Sequence, residues 1–213
     1  MKVSDKLEPA AKFALVLTAD GKWERRVLTG LAPKLDGKFL LWFPPPLGRT
    51  GLQRLAEAIK VHLEEAYGAR PGMRVRSICM LILVDKEHFR RPENARPEFV
   101  EALMKMGIDV LDSGPTEDKD AFFVNGKYGH RPFKALVAIL GIEKCLDEQI
   151  ALLLKQYKNI QVEPNYGSIM RAMRSLGEDL EDIIAERSLA ELKRIFPSIL
   201  AALRSLERLL AEG

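Results

Sequence analysis

Cysteine, histidine and aromatic residues are scarce in this chain: its 213 residues include two Cys, three His and only 7% Phe, Trp and Tyr combined. Cys79 and Cys145 lie far apart in apolar surroundings, so they read as free buried thiols and not as a disulfide framework. No Cys/His cluster has the spacing of a zinc site. No apolar run approaches the ~20 residues of a membrane-spanning helix. Met1 to Pro9 is charged and lacks the apolar centre of a signal peptide, so the cytoplasm is the expected location. An excess of one charge is absent too: 33 Lys and Arg face 30 Asp and Glu, a formal net charge of +3. That balance excludes a histone-like polybasic binder and leaves a DNA or RNA partner open. Repeats and low-complexity tracts are also lacking.

What the chain does have is apolar material, 47% of its residues, with 30% charged. Its length is enough for one large domain or a domain with a helical appendage. Abundant Arg, Lys and Glu with few His also suit a thermophile.

Apolar periodicity sets out the elements. Phe13 to Leu17 reads as a strand, Asp20 to Leu35 as a helix, and Lys38 to Phe43 as a second strand. Gly48-Arg49-Thr50-Gly51 opens a helix with Leu52, Leu55, Ala56, Ile59 and Leu63 on one face. Val75 to Val84 is apolar on both faces from Ile78 onward, the pattern of a central parallel strand. Arg90 to Pro97 reads as a loop, Phe99 to Met106 as a short helix and Ile108 to Leu111 as a strand. Asp112 to Asp120 is acidic and turn-rich. Ala121 to Val124 and Phe133 to Leu140 read as strands, with a tight turn expected at Asn125-Gly126. From Ile142 the spacing is helical to the end, interrupted by Pro197. The expected architecture is an α/β domain over 10–141, with a mostly parallel sheet, followed by a helical region over 142–213. The Leu/Ile stripe from Leu192 to Leu210 reads as core, with a homodimer interface as the alternative.

Two strand ends carry carboxylates: Asp20-Gly21-Lys22-Trp23-Glu24 and Asp85-Lys86-Glu87. Ligands in α/β proteins sit at the C-terminal ends of parallel strands. Carboxylates that converge there repel one another unless a divalent cation is shared. Magnesium is the first expectation and manganese the second, because one or two carboxylates plus substrate phosphates suit such an ion.

These segments resemble the TOPRIM domain of topoisomerases, primases and overcoming-lysogenization-defect nucleases. In that family a first strand ends in Glu-Gly, often followed by Lys and another acidic residue, and a second motif reads Asp-x-Asp after a very apolar strand. The resemblance spans roughly Lys12 to Gly141, with Gly48-Arg49-Thr50-Gly51 in the place of the connection between the motifs. It implies a three-layer TOPRIM/Rossmann-like fold and magnesium-dependent cleavage of nucleic-acid phosphodiesters. It assigns Asp20 to proton transfer and Asp85 and Glu87 to the metal, with Lys22 as a phosphate contact. Glu24 would stand behind the direct ligands. The carboxylate lengths depart from the pattern: Asp20 stands where the family has Glu, and Glu87 where it has Asp.

Several features have a plain alternative. Asp20-Gly21 also suits a helix cap, and Glu143 a helix-dipole contact, although Glu143 is a candidate supporting carboxylate as well. Arg49 in the Gly48–Gly51 segment suits a phosphate at a helix N-terminus, but the Lys-Ser/Thr ending of a P-loop is missing. Arg70, Arg74, Arg76, Arg90, Arg91 and Arg96 flank the Asp85 strand and would track a phosphate backbone if they share one edge. His88 reads as a surface residue first, a ligand second and a proton donor third. Two functions follow: a metal-dependent nuclease, or a catalytically silent module that binds a nucleotide, nucleic acid or protein.

Overall fold

A computed structural model describes residues 1–6, 12–18, 23–35, 37–44, 51–68 and 77–212. Asp20, Lys22, Arg49, Arg70, Arg74 and Arg76 lie outside the described residues. The strands are β1 (Lys2–Ser4), β2 (Phe13–Thr18), β3 (Leu40–Trp42), β4 (Ile78–Asp85), β5 (Asp109–Pro115), β6 (Ala121–Tyr128) and β7 (Arg131–Leu140). The helices are α1 (Glu24–Leu31), α2 (Leu52–Gly68), α3 (Ala95–Lys105), α4 (Leu146–Lys158), α5 (Tyr166–Leu176), α6 (Leu180–Ala185), α7 (Leu189–Ile195) and α8 (Pro197–Glu212). The strands form one mixed, mostly parallel sheet in the order β1-β3-β2-β4-β7-β6-β5. All neighbours from β1 to β7 run parallel, and β6 and β5 add on antiparallel.

The apolar runs of β2, β4 and β7 follow from burial on both faces. Alternate residues enter opposite cores: Leu15, Met80 and Val137 one way, Val16, Leu81 and Leu136 the other. The first core is closed by α2 and α3, through residues such as Ile59 and Phe99. The second is closed by α1 together with α4 to α8, so the C-terminal helices share their core with one face of the sheet. The stripe from Leu192 to Leu206 is buried there. Pro197 divides α7 from α8, as its missing N–H requires.

The winding of the sheet fixes where a ligand can sit. The chain passes from β2 to β3 on one side, then crosses back to place β4 on the other side of β2. Accordingly, α1 and α2 lie on opposite faces. The reversal falls between the carboxyl ends of β2 and β4, the place where open α/β sheets bind ligands.

Some boundaries differ from expectation. Asn125-Gly126 is not a turn; both residues lie inside β6. A Cβ on Gly126 would come within 2.6 Å of the Phe133 ring, so this glycine makes room for an aromatic side chain on the neighbouring strand. The hairpin turns at Gly129-His130 instead, where Gly129 has φ +59° and Tyr128 pairs with Arg131. Helix α3 begins at Ala95, inside the expected loop; Pro97 is tolerated in a first turn because its absent N–H would have no intrahelical partner. Strand β5 extends to Pro115, into the acidic segment expected to turn. The described part of the first helix ends at Leu31 and tightens into a 3₁₀ turn over Ala32–Lys34, with Pro33 inside it.

Gln149 joins three parts of this fold. Only 4% exposed, it accepts the Gly141 N–H at 2.9 Å and donates to the Ile195 carbonyl at 2.6 Å. Gln149→Leu keeps most of the volume but leaves both backbone groups without this partner. It is expected to cost about 1–3 kcal/mol, measured as a lower urea midpoint at unchanged slope.

Candidate metal centre

Strand β4 is buried along its whole length and ends in Asp85, itself 4% exposed. The chain leaves β4 in one 3₁₀ turn, Lys86–His88. The turn brings His88, three residues on, back to the neighbourhood of Asp85. Asp85, Glu87 and His88 each offer a ligand atom, and these atoms all lie within 4.8 Å of one another. Asp85 is buried, His88 half-buried and Glu87 exposed, so the cluster opens toward solvent on the Glu87 side.

The surroundings hold this turn in place. The Leu146 N–H at the start of α4 donates to Asp85 Oδ1 at 2.9 Å, aiming the positive end of the helix at the buried carboxylate. The Glu87 N–H donates to the Lys144 carbonyl at 3.0 Å. Lys86 turns away from the cluster: its Nζ pairs with Asp120 at 3.1 Å and donates to the Ile142 carbonyl at 3.0 Å. Its charge is thereby engaged next to, and not within, the acidic group.

The loop from β7 to α4 is equally constrained. Gly141 has φ +96°, and a Cβ there would come within 2.4 Å of the Cys145 backbone nitrogen. Glu148 Oε2 gathers the N–H groups of Ile142, Glu143 and Lys144 at 2.9, 2.8 and 2.9 Å. Burial alone would raise the pKa of Glu148, but these backbone bonds outweigh it and hold its carboxyl below the usual value of 4.5. Cys145 is pushed the other way, up to about 11, first by burial and then by Asp147, Asp85 and Glu148, against one backbone hydrogen bond. Both Cys79 and Cys145 are free thiols, as expected.

The other anticipated site residues fall as follows. Thr18, the last residue of β2, pairs with Leu83, two residues before Asp85 on β4. Glu24 opens α1, is 3% exposed and accepts the Trp23 N–H at 3.2 Å. Glu143 is exposed on the β7–α4 loop. Neither joins the Asp85 cluster among the described residues. Arg90, Arg91 and Arg96 are exposed around the segment after β4. His88, expected first as a surface residue, is half-buried beside Asp85 and Glu87; the signal for this was its three-residue spacing from Asp85 across a strand end.

The donor set suits a divalent ion. Ligands of an octahedral ion bonded at about 2.1 Å stand about 3.0 Å apart when adjacent and about 4.2 Å when opposite, so a group spread within 4.8 Å would close inward around an ion. Two carboxylates and an imidazole fit manganese better than magnesium, which prefers oxygen alone. No protein-family model, curated protein or solved structure matches the chain.

Two outcomes follow from this chemistry. Glu148 has a depressed folded value, so its contribution is present above pH 4.5 and lost as pH falls through the folded value. Wild type should exceed Glu148→Gln in stability at pH 7, and the gap should narrow as denaturation is measured toward pH 3. Cys145 should alkylate with iodoacetamide at pH 8 about 10-fold or more slowly than a free peptide thiol, as read by mass spectrometry on the folded chain.

Proposed function

We propose that the protein is a divalent-cation-dependent enzyme of phosphoryl transfer, cleaving nucleic-acid phosphodiesters, with a three-layer TOPRIM-like core. One observation carries the proposal. At the end of β4, beside the point where the sheet reverses its winding, the ligand atoms of Asp85, Glu87 and His88 gather within 4.8 Å. Asp85 and Glu87 are the anionic ligands and His88 the third donor. A cation held there supplies polarisation of a phosphoryl oxygen. Manganese is the preferred ion and magnesium the alternative. Asp85 is oriented by the Leu146 N–H, and Lys86 pairs with Asp120. The resemblance assigns proton transfer to Asp20 and phosphate contact to Lys22; Arg49 is a further phosphate candidate from its place in the Gly48–Gly51 segment.

A second reading is a catalytically silent binding module. The Asp85–Leu146 hydrogen bond favours it, because a carboxylate that holds a helix end has a reason to be there without any cation.

The deciding experiment pairs manganese titration, followed by electron paramagnetic resonance, with cleavage assays on single- and double-stranded DNA and RNA. Glu87→Gln is the informative variant, since Glu87 is exposed and its side chain bears less on folding than that of Asp85. It should weaken manganese binding by about 10-fold or more and lower cleavage in step, at unchanged thermal midpoint. Wild type that neither binds manganese nor cleaves any of the four substrates would exclude the enzyme. Salt-sensitive nucleic-acid binding in that same protein would establish the silent module.

A further inference from the structure

A cleft of about 390 Å³ opens between the first turn of α2 and helix α3. Its walls include the segment from Gly51 to Arg54, His88 and Arg90 after β4, and Glu98, Glu101 and Lys105 of α3. His88 is shared, since it belongs both to this cleft and to the Asp85 cluster. The volume lies toward the lower end of the roughly 300–1,000 Å³ found for small-molecule clefts. It takes a nucleotide-sized molecule, whereas a double helix would lie across its mouth.

The charges in the cleft favour an anion. Arg54, Arg90 and Lys105 outnumber the two carboxylates of the lining, Glu98 and Glu101, and Glu98 is taken up by backbone N–H groups. Glu98 accepts the Arg90 N–H at 2.9 Å on one oxygen and the Arg91 N–H at 2.8 Å on the other. Glu101 pairs with Lys105 at 2.6 Å, and that contact, with a smaller contribution from Arg90, holds its carboxyl below the usual range. Arg54 pairs with Glu57 at 2.8 Å on an exposed surface, where a better-placed anion can replace the partner. Arg90 belongs to neither pair. The first turn of α2, a helix of 17 residues, adds the positive end of its dipole. Two guanidinium forks and an ammonium suit the oxygens of a phosphate.

We propose that this cleft binds a phosphate monoester, anchored by Arg90 with Arg54 and Lys105, beside the cation cluster at His88. The proposal goes beyond the phosphodiester-cleavage reading, because a terminal phosphate is a monoester that anchors the bound molecule and is not the bond cleaved; it rests on that reading only for what happens to the molecule once bound. Two sources carry such a group: a free nucleotide, and the 5′-phosphorylated end of an oligonucleotide.

The test is calorimetry on the full chain without added metal, using adenosine 5′-monophosphate, adenosine, and a short oligodeoxynucleotide with either a 5′-phosphate or a 5′-hydroxyl. A phosphorylated probe should bind about 10-fold or more tightly than its unphosphorylated counterpart. Arg90→Gln and Lys105→Gln should each remove most of that difference at unchanged thermal midpoint. Binding of the mononucleotide alone identifies a free nucleotide; binding of the phosphorylated oligonucleotide identifies a nucleic-acid end. Equal affinity for adenosine and its monophosphate, no binding of either phosphorylated probe, or unchanged affinity in Arg90→Gln would overturn the proposal. A parallel manganese titration separates the two ideas. Manganese binding without monoester binding removes the cleft and leaves the cation site, and the reverse result leaves the cleft and removes the cation site.

Discussion

The hydrogen bond from the Leu146 N–H to Asp85 is the constraint on which the rest of this molecule turns. A carboxylate at the end of a strand buried on both faces is costly unless something answers its charge. The N-terminus of α4 answers it at 2.9 Å. Docking α4 there fixes the β7–α4 loop, because Glu148 and Gln149, one turn further along the same helix, take up the N–H groups of Gly141 to Lys144. Gln149 then reaches α7 through the Ile195 carbonyl. The sheet end, the loop and the C-terminal helices are therefore one connected hydrogen-bonded assembly, with the acidic cluster at its edge.

Charge at this edge is sorted by distance from β4. Lys86 is adjacent in sequence to both carboxylates of the cluster, yet it serves Asp120 at the β5–β6 turn. The arginines that follow β4 are exposed, and Arg90 stands in the cleft beside α3. Negative charge is thus gathered at the strand end and positive charge along the neighbouring cleft, with His88 at their boundary. This is the arrangement that a phosphate held next to a cation requires.

The parts of the fold legible in the sequence are those set by burial over a continuous run. Ile78 to Val84 and Phe133 to Leu140 are apolar on both faces, and both are parallel strands between two cores. Asp85 and Glu87 were legible for a related reason, since charge stops abruptly against such a run. Asn125-Gly126 misled because a local turn signal was overruled by a cross-strand contact with Phe133, which no short window contains. The hydrogen bonds made by Glu148 and Gln149 were hidden for the opposite reason: a polar residue on a helix gives no sign of which distant backbone it will meet. His88 lay between these cases, visible as a spacing but dependent on the 3₁₀ turn that closes it.

The join between β4 and α4 also imposes an order in time. Asp85 is made on the ribosome well before Leu146, and the two are 61 positions apart. Until the later segment emerges, the sheet can gather its apolar strands but has no helix end to set against its buried acid. Through the synthesis of β5, β6 and β7 the Leu146 N–H is not yet available to Asp85 at the end of β4. Closing that long loop is a late step, and contacts so distant in sequence slow folding. The hydrogen bond that orients Asp85 in the acidic cluster forms only when the second half of the chain has arrived.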